Sequence, residues 1–380
     1  MDCLGRTLAR ALSMVALTVL VAGTYATLVA SPAAAQVVIV SAGDSYASGE
    51  GAADGSPSAF PVWRGDDTDG LAQPCHRSTL AGAAVAAAQL GGYKPVAFAS
   101  VACTGSVTGA TPPGGGSQGS GPQSLLGSGG QFATIKSRFG GTPIDALTLS
   151  IGGNDIGFSS IVKACLDPAT FCEIDPILTS LTSMLLADLP RRLDEVFAAV
   201  NSGAAGTIRF VVVTEYPDPT LGLWGLRCGN PVVPGFAGFD GISEDEATWA
   251  SIAVIAPLNA AIQDAVFRAN TAPGSHPAWA FVSGISSRFS THGYCTDFPS
   301  PSWWMWGNPR YVNTLLDSIT AQGDPFGSMH PNASGHAEIA DALYSAMWFL
   351  VAPQTPEPAP RDPVICFDTY FKKRVPCNED

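Results

Sequence analysis

Four short stretches hold residues that could do chemistry together if the fold brings them to one place. Asp44-Ser45-Tyr46 follows an apolar β-branched run, Val37-Val38-Ile39-Val40, after the turn residues Ser41-Ala42-Gly43. A serine just past a core strand is held rigidly at the carboxyl edge of a sheet, where open α/β folds place their sites. A free hydroxyl is a poor nucleophile at neutral pH and needs a base. Of the histidines, His330 is best placed, because Pro331-Asn332 follows it at a helix start. His76, His276 and His292 lack that context and read as surface or packing residues, and His336 as a packing or capping residue in the terminal helix. Gly105, in Cys103-Thr104-Gly105-Ser106, and Asn154, in Gly152-Gly153-Asn154-Asp155, each end a further strand. Ordinary turn chemistry explains the same letters one stretch at a time. Convergence of the loops is what separates the two readings.

The elements that would bring about that convergence are legible. Strand patterns cover residues 37–40, 96–102, 144–151, 207–214 and, more weakly, 279–283. Between them, Ser78 looks like the N-cap of an Ala-rich helix to about Leu90. Pro176 opens a long helix, 176–201, whose apolar face is Ile177, Leu178, Leu181, Leu185, Leu189, Leu193, Val196, Phe197 and Val200. Pro190 would bend that helix or split it. Ser243 to Glu246 is a capping box opening a helix to about Ala269, with a kink expected at Pro257. A terminal helix begins at Asn332 or Ala333 and runs to Leu350. Strand and helix alternate about five times, which predicts an α/β/α sandwich around a five-stranded parallel sheet. In such a sheet the loops carrying Ser45, Gly105 and Asn154 emerge at one edge.

Composition limits the partners. The formal charge of −13 argues against nucleic acid and against adhesion to anionic membranes. Neutral or apolar small molecules fit better. Arg6 and Arg10 precede an apolar stretch from Ala11 to Val29, and Ala33-Ala34-Ala35 is a small-residue cleavage signal. Residues 1–35 therefore read as a signal peptide, with export and no transmembrane anchor after cleavage. An uncleaved anchor is the competing reading. Removing Cys3 leaves eight of nine cysteines, an even number suited to an oxidising compartment. Cys165 and Cys172 can close a short loop, and Cys366 and Cys377 a tail loop, while spacing leaves the partners of Cys75, Cys103, Cys228 and Cys295 open. No zinc spacing appears, and no metal or cofactor is expected.

Two motifs are decoys. Asp66-Asp67-Thr68-Asp69 lacks the spacing of a calcium loop and reads as a solvated acidic turn. Gly115-Gly116-Ser117-Gln118-Gly119 matches the G-x-S-x-G pattern, but its flanks in the Gly/Ser-rich stretch 112–130 offer neither strand nor helix.

Taken together, Gly43-Asp44-Ser45-Tyr46, Gly105, Gly153-Asn154-Asp155 and His330-Pro331 resemble the four blocks of the SGNH (GDSL) hydrolases, most closely the secreted actinobacterial esterases and lipases. The resemblance runs from about Val37 to Leu350. It implies a flavodoxin-like sheet order and a carboxylester hydrolase acting through an acyl-enzyme. Ser45 would be the nucleophile and His330 the base. The N–H groups of Ser45 and Gly105 and the amide of Asn154 would form the oxyanion hole, with Asp155 as a buttress. It also implies the disulfides Cys75–Cys103 and Cys228–Cys295. Substrates would be small-molecule or lipid esters, and the protein a monomer. Alternatives are a carbohydrate O-acetyl esterase, a lipid acyltransferase or phospholipase, and a non-catalytic surface-binding protein.

One position departs from the pattern. The family's usual acid lies three residues before the histidine, and here that residue is Gly327. Its carbonyl is expected to orient His330, giving a Ser–His dyad, with Asp324 as the rival and Ser328 as a weaker one. Past residue 350 a Pro-rich linker leads to the tail, where Lys372, Lys373 and Arg374 form a basic patch on a solvated appendage.

Overall fold

The computed structural model describes residues 36–54, 75–112, 119, 121–230, 241–274, 276–296, 310–352, 365–368 and 373–376. The signal segment with Cys3, the acidic run at Asp66–Asp69, Ser117, most of the Pro-rich linker and Cys377 with its expected bond to Cys366 lie outside these residues. Strands 365–368 and 373–376 pair antiparallel in the tail.

Five strands, β1 (Val37–Gly43), β2 (Val96–Ser100), β3 (Ala146–Ser150), β4 (Phe210–Thr214) and β5 (Ala278–Val282), form one sheet in the order β2-β1-β3-β4-β5. All its pairings are parallel. This is the expected flavodoxin-like order. Successive strand residues feed opposite cores, as the two-residue period requires. Val40, Ala42, Leu147, Leu149, Val211 and Val213 belong to one buried cluster, and Ile39, Ala146 and Val212 to the other.

The first core is completed by α3 (Gln131–Phe139), α5 (Pro176–Asn201) and α7 (Ala256–Asn270), and the second by α2 (Gly82–Leu90) and the terminal helix, α10 (Ala333–Met347). Short helices α1 (Ser45–Ser48), α4 (Phe158–Leu166), α6 (Glu244–Trp249), α8 (Ile285–Phe289) and α9 (Leu315–Gln322) complete the described set. Of the helices, α1, α3, α4, α8 and α9 are additions to the sequence reading. Among the described residues three disulfides are present, Cys75–Cys103, Cys165–Cys172 and Cys228–Cys295.

Several local expectations are corrected. Helix α2 starts at Gly82, with Ala81 at the N-cap, and the Ser78 hydroxyl serves the preceding turn by accepting from Leu80 N–H. Helix α5 runs unbroken through Pro190, because burial of Leu189, Leu193, Val196 and Phe197 outweighs the one hydrogen bond a proline removes. Its expected apolar face is only partly used: Ile177 is 79% and Leu181 44% exposed. The capping box at Ser243 and Glu246 is formed. At Pro257, where a kink is expected, the chain does not break: one helix runs from Glu244 to Asn270, with a π-helical stretch, Ala250–Ile255, just before the proline joining α6 to α7.

Candidate active site

The first strand ends at Gly43, whose φ of 127° and approach to Ser150 exclude a side chain: a Cβ there would sit 2.0 Å from the Ser150 carbonyl oxygen. The chain turns directly into α1 rather than a loop, with Asp44 at the N-cap accepting from Tyr46 N–H at 3.1 Å. Ser45 is therefore the first residue of a helix at the carboxyl end of β1. Its Oγ lies 2.8 Å from Nε2 of His330, which comes from just before α10.

The other ring nitrogen, Nδ1, lies 3.1 Å from the Ser328 carbonyl. A carbonyl only accepts, so Nδ1 carries the proton and Nε2 is free to accept from the serine. The Gly327 carbonyl does not take the expected part: it accepts from the backbone N–H of His330 at 3.0 Å. Met329, between Ser328 and His330, adopts φ 62°, and this left-handed turn swings the ring back over the Ser328 carbonyl. The Tyr46 hydroxyl holds the turn by donating to the Met329 carbonyl at 3.0 Å. Asp324 is not at the ring either. Its carboxylate accepts from Gln322 Nε2 at 2.7 Å and from Phe326 N–H at 2.8 Å.

In the loop after β2, Gly105 adopts φ 76°. Among the described residues, the N–H groups of Ser45 and Gly105 donate to no protein acceptor. The Asn154 amide gives one hydrogen to the Ser106 carbonyl at 2.9 Å and keeps its second. Asp155 ties down this loop. Its carboxylate accepts from Thr108 N–H at 3.0 Å and Thr108 Oγ1 at 2.6 Å, and Arg192 lies 3.6 Å away.

Three residues missed in the sequence hold these loops together. Gln131, the first residue of α3, accepts from Gly43 N–H and donates to Gly43 O and Ser106 Oγ, at 2.7 to 2.8 Å. Tyr216, just past β4, donates to the Asp44 carboxylate and accepts from Gly153 N–H at 3.0 Å. His76, read as a packing residue, is buried with Nδ1 2.7 Å from Glu50 Oε2 and Nε2 3.9 Å from Asp324 Oδ2. His336 does pack, with Nε2 donating to the Glu50 carbonyl at 3.2 Å, and His292 stacks on Tyr311.

Burial dominates the electrostatics. It holds His330 below the usual histidine value, against the Glu50 charge and the Ser328 and Phe326 carbonyls. It drives His336 down to about 4 and Asp44 up to about 7. Glu50 is also wholly buried, which opposes its charge, yet His76, His330 and the Gln322 amide together keep it below the usual carboxylate range.

Glu50, His76 and Asp324 are close enough to be considered as metal ligands. The histidine, however, directs its two nitrogens at different carboxylates, which is the arrangement of an ion-pair chain. A second such group, Cys172, Glu173 and Glu246, contains a sulfur already in a disulfide. Beside the pair Ser45–His330, the ring of Phe158 stands 5.9 Å from that of His330. Phe158 and Met329 also line a cavity of about 50 Å³, closed further in by Ile161, Val162, Pro219 and Val254.

No protein-family model matches the chain, and no curated protein matches it. Solved structures do. An extracellular lipase from Streptomyces rimosus is 23% identical, with 82% of this chain and 99% of that chain covered at a TM-score of 0.52. The phospholipase A1 from Streptomyces albidoflavus NA297 is 22% identical over the same shares, at 0.51. The chain shares their fold.

Proposed function

We propose that the chain is an exported serine carboxylester hydrolase that works through an acyl-enzyme on a Ser45–His330 dyad. The 2.8 Å contact between Ser45 Oγ and His330 Nε2 carries the reading, with the ring's tautomer set by the Ser328 carbonyl. His330 takes the hydroxyl proton as Ser45 Oγ attacks the ester carbonyl. The Ser45 and Gly105 N–H groups and the spare hydrogen of Asn154 Nδ2 receive the oxyanion. On collapse, Nε2 hands the proton to the departing alcohol. Water then repeats the sequence on the acyl-enzyme and regenerates Ser45.

The cavity lined by Phe158 and Met329 offers mainly apolar side chains, which suits the acyl part of an ester. The two Streptomyces enzymes of like fold, a lipase and a phospholipase A1, support a lipid or simple ester as substrate. Export after cleavage at Ala35 rests on the leader sequence and the three disulfides.

The test is covalent. An organophosphonate should label the purified protein on Ser45 by peptide mass spectrometry, and Ser45→Ala should abolish hydrolysis of p-nitrophenyl esters while leaving Tm unchanged. Label elsewhere, or activity surviving in Ser45→Ala, overturns the proposal. Amino-terminal sequencing of the exported protein should begin at Gln36.

A further inference from the structure

A carbonyl carries only a partial charge, so the Ser328 contact fixes the His330 tautomer but leaves the imidazolium with little of the stabilisation a carboxylate partner gives. A full negative charge nevertheless lies close by. Glu50 follows α1, its N–H donating to the carbonyl of Ser45 itself at 3.0 Å. The next residue, Gly51, packs so tightly on the histidine that a Cβ there would lie 3.1 Å from His330 Cβ. Gly51 is clamped in place by its carbonyl accepting from Asn313 Nδ2 at 2.7 Å and its N–H donating to Gln322 Oε1 at 3.1 Å.

The carboxylate of Glu50 is fully buried. Gln322 Nε2 donates to Oε1 at 2.6 Å, and His76 Nδ1 lies 2.7 Å from Oε2. A neutral glutamine would fill the same space without the desolvation penalty of a buried charge. His76 is itself in a left-handed backbone conformation, φ 45°, uncommon for residues other than glycine. The chain Gln322, Glu50, His76 and Asp324 thus keeps one carboxylate ionised in a dry site next to the base, beyond what packing alone requires.

We propose that Glu50 is a positioning residue for the reaction, its buried carboxylate supplying through space the countercharge for the His330 imidazolium that a triad acid would supply by contact. This rests on the Ser45–His330 reading above. Among the described residues, the groups facing the ring are few. Tyr46 and Phe158 flank it without charge. His336, from α10, and His76 are the titratable cations near it, and Glu50 is the carboxylate whose charge acts on it most strongly. Reciprocally, His330 is among the groups that hold Glu50 ionised.

The test is the pH profile of kcat/KM on a p-nitrophenyl ester, for parent, Glu50→Gln, Glu50→Asp and His76→Gln. In Glu50→Gln the apparent pKa of the base should fall by about one unit and kcat by ~10- to 100-fold, with KM within about twofold. Glu50→Asp, which keeps the charge, should recover most of both. His76→Gln removes a positive charge while retaining a donor to Glu50, so its apparent pKa should rise. A purely structural role would lower Tm and leave these pKa values where they are. An unchanged pKa in Glu50→Gln overturns the proposal, and should that variant not fold, an unchanged pKa in His76→Gln does so. Ser45 labelling on each variant separates the two readings: label at Ser45 with no pKa shift sinks only the role of Glu50, and absence of label from the parent sinks the dyad.

Discussion

The hydroxyl of Tyr216 donates to the carboxylate of Asp44, the residue immediately before Ser45. The same oxygen accepts from Gly153 N–H, one residue before Asn154. One side chain from the end of β4 thereby clasps the loop of the nucleophile to the loop of an oxyanion donor. Burial has already raised Asp44 to about 7, and the tyrosine is the first of the contacts that restrain it. Tyr216→Phe should lower kcat/KM by ~10- to 100-fold and stability by about 1–3 kcal/mol, the cost of leaving buried polar groups unmatched. Steady-state kinetics and urea unfolding would check both, and kcat/KM within twofold of the parent would refute the clasp.

Asp324→Asn should keep kcat within a few fold of the parent. Its carboxylate serves Gln322 and Phe326 N–H, while His330 Nδ1 is occupied by the Ser328 carbonyl. A loss near 10⁴-fold, the effect of converting a triad aspartate to an amide, would restore Asp324 as the third member.

Asn154→Ala should lower kcat by ~10²- to 10³-fold with little change in KM, the signature of a donor that matters most in the transition state. Single-turnover acylation of Ser45 is the measurement, and a change confined to KM would place the amide in ground-state binding.

Acid should destabilise the protein through His336. Its folded pKa is depressed by burial to about 4, so the native state keeps the ring neutral while the unfolded chain protonates near 6.5. The stability this ring contributes is complete above 6.5 and is lost as pH falls through the window down to about 4. Relative to His336→Asn, the parent should lose about 3 kcal/mol between pH 7 and pH 4. Denaturant titrations at a series of pH values would show this, and parallel curves would contradict it.

The sheet was readable because β-branched runs announce buried parallel strands, and the sheet in turn placed Ser45, Gly105 and Asn154 at one edge. His330 stood out through the helix start that follows it. The partner of its Nδ1 did not, because any residue has a carbonyl and its direction depends on the positive φ of Met329. The spacing rule pointed to Gly327, one residue too early. Tyr216, Gln131 and His76 carried no motif, since their roles come from tertiary contacts 26 to 172 residues away. Helix α3 did have a signal, with Phe132, Ile135 and Phe139 at helical spacing between Gly130 and Gly140. The Gly/Ser-rich stretch before it masked that pattern. In α5 the apolar repeat was real but longer than the core it feeds, which leaves Ile177 and Leu181 exposed.

Ser45 and His330 are 285 residues apart in the chain, one at the end of the first strand and the other just before the last long helix. The contact exists only once the carboxyl-terminal segment has docked against the nucleophile loop, so activity requires this long-range pairing in full. Hydrolysis is thus a clock for the final stage of refolding. After dilution from denaturant, far-ultraviolet dichroism should recover ahead of turnover, and the interval between them times the docking of the carboxyl-terminal segment onto the nucleophile loop.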